Sequence, residues 1–207
     1  MSISATYEAF LEACRQEGCP VCTLEHAADL RYLERLFYEQ VNDYAVRQQL
    51  RASQGFCPEH ARQAMDEMQG KALGLAIIYD DLLRIALEEL DRGQVGNISV
   101  KKCPACENRN ESSGRVFAEL SKNILQPDML SAFQSSQGLC FGHLRLALEH
   151  LRIPDKRTAL ISSQRAIMEK LRGELAEYIR KNDYRFAGEN FGPERDSWRR
   201  AVRMGKK

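Results

Sequence analysis

Ser53-Gln54-Gly55-Phe56-Cys57-Pro58-Glu59-His60 is echoed 83 positions later by Ser136-Gln137-Gly138-Leu139-Cys140-Phe141-Gly142-His143. Each copy follows a Cys-Pro-x-Cys: Cys19-Pro20-Val21-Cys22 upstream of the first, Cys103-Pro104-Ala105-Cys106 upstream of the second. From the last cysteine of the pair to the Cys-x-x-His the gap is 35 positions in one case and 34 in the other. Each half of the chain therefore offers three thiols and one imidazole, a complete tetrahedral donor set for a structural metal ion.

The 207 residues are 43% hydrophobic and 29% charged, with a net charge of +1 and a mean hydropathy of -0.47. That composition is expected of a soluble protein with a core, and it supplies no global field for nucleic acid or anionic lipid. No apolar run approaches the roughly 18–20 residues of a membrane span, and the first residues lack the basic and apolar regions of a secretion signal. An odd count of seven cysteines, six of them in the doubled pattern, favours reduced thiols in a cytoplasmic protein over a disulfide framework. Cys14 is left over beside Phe10 and Leu11, and reads as a small buried hydrophobe.

Between the motifs the apolar spacing is helical throughout. Helices are expected over residues 4–17, from Pro20 to near Asn42, over 44–52, from Cys57 past Met68, and over 72–90. The second half repeats the order, with stretches at 116–124, 127–133, 140–151 and 156–181. Pro20 and Pro58 each stand where a first helical turn needs no amide donor. Asp91-Arg92-Gly93-Gln94-Val95-Gly96-Asn97 is rich in turn formers and divides the halves. The chain thus reads as an all-α protein of two pseudo-symmetric helical repeats, each organised around a Cys3His site. Residues 1–92 form the first repeat and 101–181 the second. The segment 182–207, with Tyr184, Phe186, Phe191, Trp198 and a basic finish, is expected to pack on one compact body.

Cys19, Cys22, Cys57 and His60 form one expected ligand set, and Cys103, Cys106, Cys140 and His143 the other; exchange of the two knuckles between repeats is the alternative. Two Zn²⁺ ions suit these donors, and an iron–sulfur cluster is the competing cofactor because thiolates are soft ligands. Four protein ligands close a tetrahedral ion and leave no water to activate, which argues against catalysis. Glu59, beside His60, would be the base of an open site, but Gly142 holds its place in the second copy. His26 and His150 read as supporting or surface histidines, since neither is repeated.

These motifs resemble an uncharacterised bacterial family of small helical proteins that joins Cys-Pro-x-Cys to Gly-Phe-Cys-x-x-His and a Leu-Gly-Leu-Ala stretch. Here those are Cys19 to Cys22, Gly55 to His60, and Leu73-Gly74-Leu75-Ala76, with Tyr184-Arg185-Phe186 and Ser197-Trp198 near the end. The resemblance implies a helical bacterial protein and carries no activity with it. The leading functional expectation is a metal-stabilised interaction or adaptor protein with a protein partner and no membrane association. The alternatives are a thiol- or metal-based redox sensor and an iron–sulfur or open-site zinc enzyme. Nucleic-acid binding has only the basic C-terminal residues Arg195, Arg199, Arg200, Arg203, Lys206 and Lys207 to rest on, and is disfavoured.

Overall fold

The computed structural model describes residues 4–67, 70–93, 102–186 and 188–205. Met68, residues 94–97 of the expected break, Lys206 and Lys207 lie outside them. Among the described residues the chain forms ten α-helices and no strand: α1 (Ala5–Cys14), α2 (Pro20–Arg35), α3 (Tyr44–Ala52), α4 (Pro58–Glu67), α5 (Ala72–Asp91), α6 (Pro104–Asn123), α7 (Pro127–Ser135), α8 (Phe141–His150), α9 (Pro154–Lys181) and α10 (Ser197–Met204). The all-α expectation is met. α1 is shorter than expected because the chain turns at Arg15 and reaches Gly18 with φ +95°. α6 is longer, running without a break from Pro104 through Ser112-Ser113-Gly114.

The chain divides into two compact units, but the division does not follow the two repeats. One unit joins residues 1–24 to 113–207; the other is residues 25–112. The boundaries fall inside α2 and α6.

In the first unit α1 packs on α7, α7 on α9, and α10 on α9. Phe10, Phe117, Leu120, Ile124, Met129, Phe133, Leu139, Leu151 and Leu160 fill its core. A buried aliphatic or aromatic side chain of this size is worth about 1.5–3 kcal/mol, so α1 is tied to the second half of the chain by Phe10 as firmly as by any polar contact. The C-terminal segment packs on α9 through α10 and the turn before it. Lys181 bonds Glu194 at 2.7 Å, Arg200 meets Glu174 at 2.5 Å, and the rings of Tyr178 and Phe191 lie 5.5 Å apart. Its aromatics are not all covered, however: Tyr184 stays 87% exposed.

In the second unit, Leu33, Leu36, Phe37, Leu50, Phe56, Ala64 and Ile78 make the core. Phe37 meets Phe56 edge-on at 6.3 Å. α2 ends in a π-helical turn, Leu36–Gln40, and Asp43 caps α3 by accepting from the Val46 amide at 3.0 Å. α3 is pinned to α5 by Asp81, which receives Arg51 through two bonds of 2.7 and 2.8 Å and Arg84 at 2.9 Å. These three guanidinium contacts, with Arg51's the strongest, outweigh burial and hold the Asp81 carboxyl down at about 2.

The turn from α3 to Cys57 is a complete Schellman motif. The Gly55 amide donates to the Leu50 carbonyl at 2.7 Å and the Gln54 amide to the Arg51 carbonyl at 3.1 Å. The motif needs left-handed backbone, supplied by Gly55 at φ +94° and, unusually for a residue with a side chain, by Gln54 at φ +54°.

Candidate metal centres

Each of the four motif segments places its first cysteine at a helix N-terminus. The carbonyls of Cys19, Cys57, Cys103 and Cys140 accept from Thr23, Ala61, Glu107 and Leu144 at 3.1, 2.8, 3.1 and 2.8 Å, the first helical bonds of α2, α4, α6 and α8. The second donor, Cys22, His60, Cys106 or His143, then falls three residues on and faces the same way. Helix N-termini carry unpaired amides and a partial positive charge, so thiolates are favoured there before any ion arrives.

The eight side chains come together as two groups of four, and the groups are not those of the repeats. Cys19 and Cys22 meet Cys140 and His143; Cys57 and His60 meet Cys103 and Cys106. Within each group the ligand atoms all lie within 4.8 Å of one another. The knuckles are therefore exchanged, and the expected sets that kept Cys19 and Cys22 with Cys57 and His60, and Cys103 and Cys106 with Cys140 and His143, are overturned. In each half a long helix follows the knuckle and a short one precedes the Cys-x-x-His. α2 has 16 residues and α6 has 20, so they carry the chain roughly 24 and 30 Å away from the knuckle that starts them, at about 1.5 Å per residue. α3 and α7 have nine residues each and recover only about 14 Å.

The geometry suits a tetrahedral ion. Bonds of about 2.3 Å to sulfur and 2.0–2.1 Å to nitrogen imply edges of about 3.8 Å between sulfurs and about 3.5 Å from sulfur to nitrogen. In the first unit Cys22 Sγ is 3.8 Å from Cys140 Sγ, and His143 Nδ1 lies 3.4, 3.3 and 3.2 Å from the sulfurs of Cys19, Cys22 and Cys140. In the second unit Cys57 Sγ is 3.6 Å from Cys106 Sγ, and His60 Nδ1 lies 3.1, 3.4 and 3.8 Å from Cys57, Cys106 and Cys103. Both imidazoles thus offer Nδ1 to the centre of the cluster.

Crowding of the donors shows in their proton affinities. In the first unit hydrogen bonds from Cys19 and Cys22 hold Cys140 as a thiolate, while the same contacts push Cys22 up. In the second, burial opposes ionisation of Cys103, but His60 and nearby backbone amides bring it down to about 6. Burial and then Cys57 push Cys106 up to about 12. Burial likewise opposes a charge on His60, yet Asp29 and then the sulfurs of Cys103 and Cys57 raise it to about 10. Without an ion, protons serve as the positive charge among the sulfurs, so loading a cation releases them.

The backbone before each Cys-x-x-His is held from the long helix that follows. Gln164 of α9 accepts from the Leu139 amide at 2.8 Å and donates to the Leu139 carbonyl at 3.0 Å, immediately before Cys140. Gly138, at φ +73°, makes room: a Cβ there would stand 2.8 Å from Gln164 Oε1. On α5 the hydroxyl of Tyr79 is held at the Phe56 backbone, immediately before Cys57.

Behind His60 lies a charged network that sequence reading missed. Its Nε2 faces Asp29 Oδ1 at 3.3 Å, and Asp29 Oδ2 receives Arg109 Nε at 2.8 Å and its terminal nitrogen at 2.6 Å. Arg109 also reaches Glu59 at 3.0 Å. Glu59 is therefore half of an ion pair, its carboxyl lowered by Arg109. This is a poor arrangement for the general base considered for an open site. His26 stands outside the cluster, between Gln63 and Glu67 at 3.3 Å from each. His150 bonds the Leu146 carbonyl at 2.9 Å and stacks on Phe117. Cys14 is buried, as expected, and burial followed by the neighbouring Cys19 pushes its thiol up to about 12.

The model of a family of unknown function (DUF6062) matches residues 6–123 and again 91–206. The two matches overlap across the Cys103–Cys106 knuckle. An uncharacterised 23.9 kDa protein in the xynA 3′ region of Caldicellulosiruptor sp. (strain Rt8B.4) is 31% identical over 204 residues, covering 93% of this chain and 96% of its own length. No solved structure matches. With matches that together run from residue 6 to residue 206, the chain belongs to the family of unknown function DUF6062.

Proposed function

We propose that this is a helical scaffold protein clamped by two structural Zn²⁺ ions, working in the reducing cytoplasm as an interaction or adaptor protein. The observation that carries the reading is that each cluster presents three sulfurs and one imidazole nitrogen within 4.8 Å of one another, with the nitrogen 3.1–3.8 Å from every sulfur. Bound there, the ion would supply folding free energy and no open coordination position. No helix among the described residues is long and apolar enough to cross a membrane. An interaction role is supported by α5, where Leu83, Leu87 and Leu90 are 64, 61 and 57% exposed at heptad spacing, flanked by Asp80 and Asp91. Their acidic margin fits an amphipathic partner helix with a basic flank. Elemental analysis of anaerobically purified protein tests the metal reading. Two zinc ions per chain, with loss of metal and of melting temperature together in Cys57→Ala, support it. Iron with sulfide, or metal-free folded protein, overturns it.

A second reading, a redox sensor, draws on the partial exposure of Cys22, Cys57 and Cys106. Hydrogen peroxide would take two electrons from a thiolate pair such as Cys57 and Cys106. One disulfide would form, the peroxide would take up two protons to become two waters, and the ion would leave. Release of zinc and loss of helicity at mild peroxide, reversed by thiol reductant, favours the sensor; retention of zinc favours the scaffold.

A further inference from the structure

Two surfaces of this chain, one in each unit, are apolar, open to solvent and matched to one another in length and charge. On α5, Ile78 and Leu82 face the core of the second unit. Leu83, Leu87 and Leu90 turn away from it and stand exposed. Apolar residues scattered singly over a surface need no explanation, but a continuous row does. The spacing i, i+4, i+7 is that of the anchors by which an amphipathic helix enters a groove. The row is about 10 Å long at 1.5 Å per residue. Asp80 lies one turn before it and Asp91 directly after it, both exposed, so the ridge begins and ends on a carboxylate.

In the first unit α8 and α9 leave between them a cleft of about 400 Å³, walled by Leu144 and Leu148 on one side and by Ile161 and Met168 on the other. Gln164 also lines it, but spends its side-chain amide on the Leu139 amide and carbonyl. The cleft therefore asks for an apolar occupant. Ile161 and Met168 are seven residues apart on α9, again about 10 Å, which is the length of the α5 ridge. Arg165 and Arg172 repeat the same interval on that wall, and both are exposed. Arg165 meets Glu169, but through side chains 76 and 62% exposed, a contact that is weak and readily given up.

We propose that α5 of one copy of this chain docks in the α8–α9 cleft of a second copy. Leu83, Leu87 and Leu90 enter between the two apolar walls, and Asp80 and Asp91 meet Arg165 and Arg172. The inference rests on the interaction role proposed above and makes the chain its own basic-flanked partner. A second copy is favoured over a different protein because the acid-ended ridge and the basic-walled cleft of equal length are carried by one sequence. Two unlike surfaces meet, so the contact is head-to-tail, and it either extends into a chain of molecules or closes into a ring. One helix in one cleft buries little area, which places the association among weak, reversible contacts.

The experiment is sedimentation equilibrium of the full-length, zinc-loaded protein over rising concentration, with two variants. Leu87→Glu puts a charge on the ridge, and Ile161→Glu with Met168→Glu puts two in the cleft. The wild type should grow in mass with concentration. Each variant alone should stay monomeric while keeping wild-type helicity and ion count. Mixed, the two should pair one to one and go no further, since one supplies an intact cleft and the other an intact α5. Should the cleft variant fail to fold, Arg165→Glu with Arg172→Glu on its exposed rim takes its place. A cleft variant that still self-associates shows α5 pairing with α5 and overturns the inference. A monomeric wild type, or variants that do not pair on mixing, overturns it too, and leaves the interaction role to a different protein. Complementation by protein that holds no metal would sustain the inference while the zinc reading fails.

Discussion

The exchange of knuckles can be tested by counting ions in paired substitutions. Cys22→Ser with Cys140→Ser removes two donors from one cluster, because their sulfurs lie 3.8 Å apart in the first unit. Cys22→Ser with Cys57→Ser removes one donor from each cluster. After dialysis against a weak chelator that strips three-donor sites, the first variant should retain one ion and the second none. Pairing within repeats predicts the opposite: none for the first and one for the second, and that outcome would refute the assignment. The energetic side follows from the separations bridged, 118 residues between Cys22 and Cys140 and 49 between Cys57 and Cys106. Treated as chain cross-links, these closures are worth about 5 and about 4 kcal/mol of unfolded-state entropy. Either clamp alone is thus comparable with a large part of the 5–15 kcal/mol that a whole domain has to spare. The retained ion should accordingly be accompanied by one cooperative unfolding step that still responds to chelator and another that no longer does.

Two further outcomes are expected. Gln54→Gly should stabilise the second unit by about 0.5–1 kcal/mol, since a side chain at φ +54° pays a left-handed penalty that glycine avoids; a lower denaturation midpoint would contradict the Schellman assignment. The Asp81 carboxyl is held at about 2 against about 3.9 in an unfolded chain, so its contribution is full above the unfolded value and is lost as pH falls toward 2. The stability gap between wild type and Asp81→Asn, about 1–2 kcal/mol at pH 6 after allowing for the partly exposed arginines, should therefore close between about pH 4 and pH 2. A gap that does not narrow would show that Arg51 and Arg84 add nothing electrostatic.

The eight donor residues were legible because their signal is local: a cysteine and a second donor three apart at a helix start need only their own turn. Pairing of the four segments was not, because it depends on how far α2 and α6 travel and how tightly Ser53 to Gly55 turns, and no donor spacing records that. Asp29 was invisible for a related reason. It is one acid among many in a charged helix, ten residues beyond Cys19, and only the fold brings it to His60. The α6 stretch Ser112-Ser113-Gly114 looks like a break by composition, yet Ser112 and Ser113 are buried and the helix continues through them. Packing there overrides a weak local preference.

The first unit joins residues 1–24 to residues 113–207, and that imposes an order on its birth. On a ribosome the second unit's cluster is complete once Cys106 has emerged, shortly after its own helices. Cys22 must wait for His143, 121 residues later. At about 5–20 residues per second that is roughly 6–24 seconds of translation. During that time α1, Phe10 and the thiols of Cys19 and Cys22 are outside the tunnel without the core that will cover them. In this interval the thiols of Cys19 and Cys22 are open to oxidants and to stray metal.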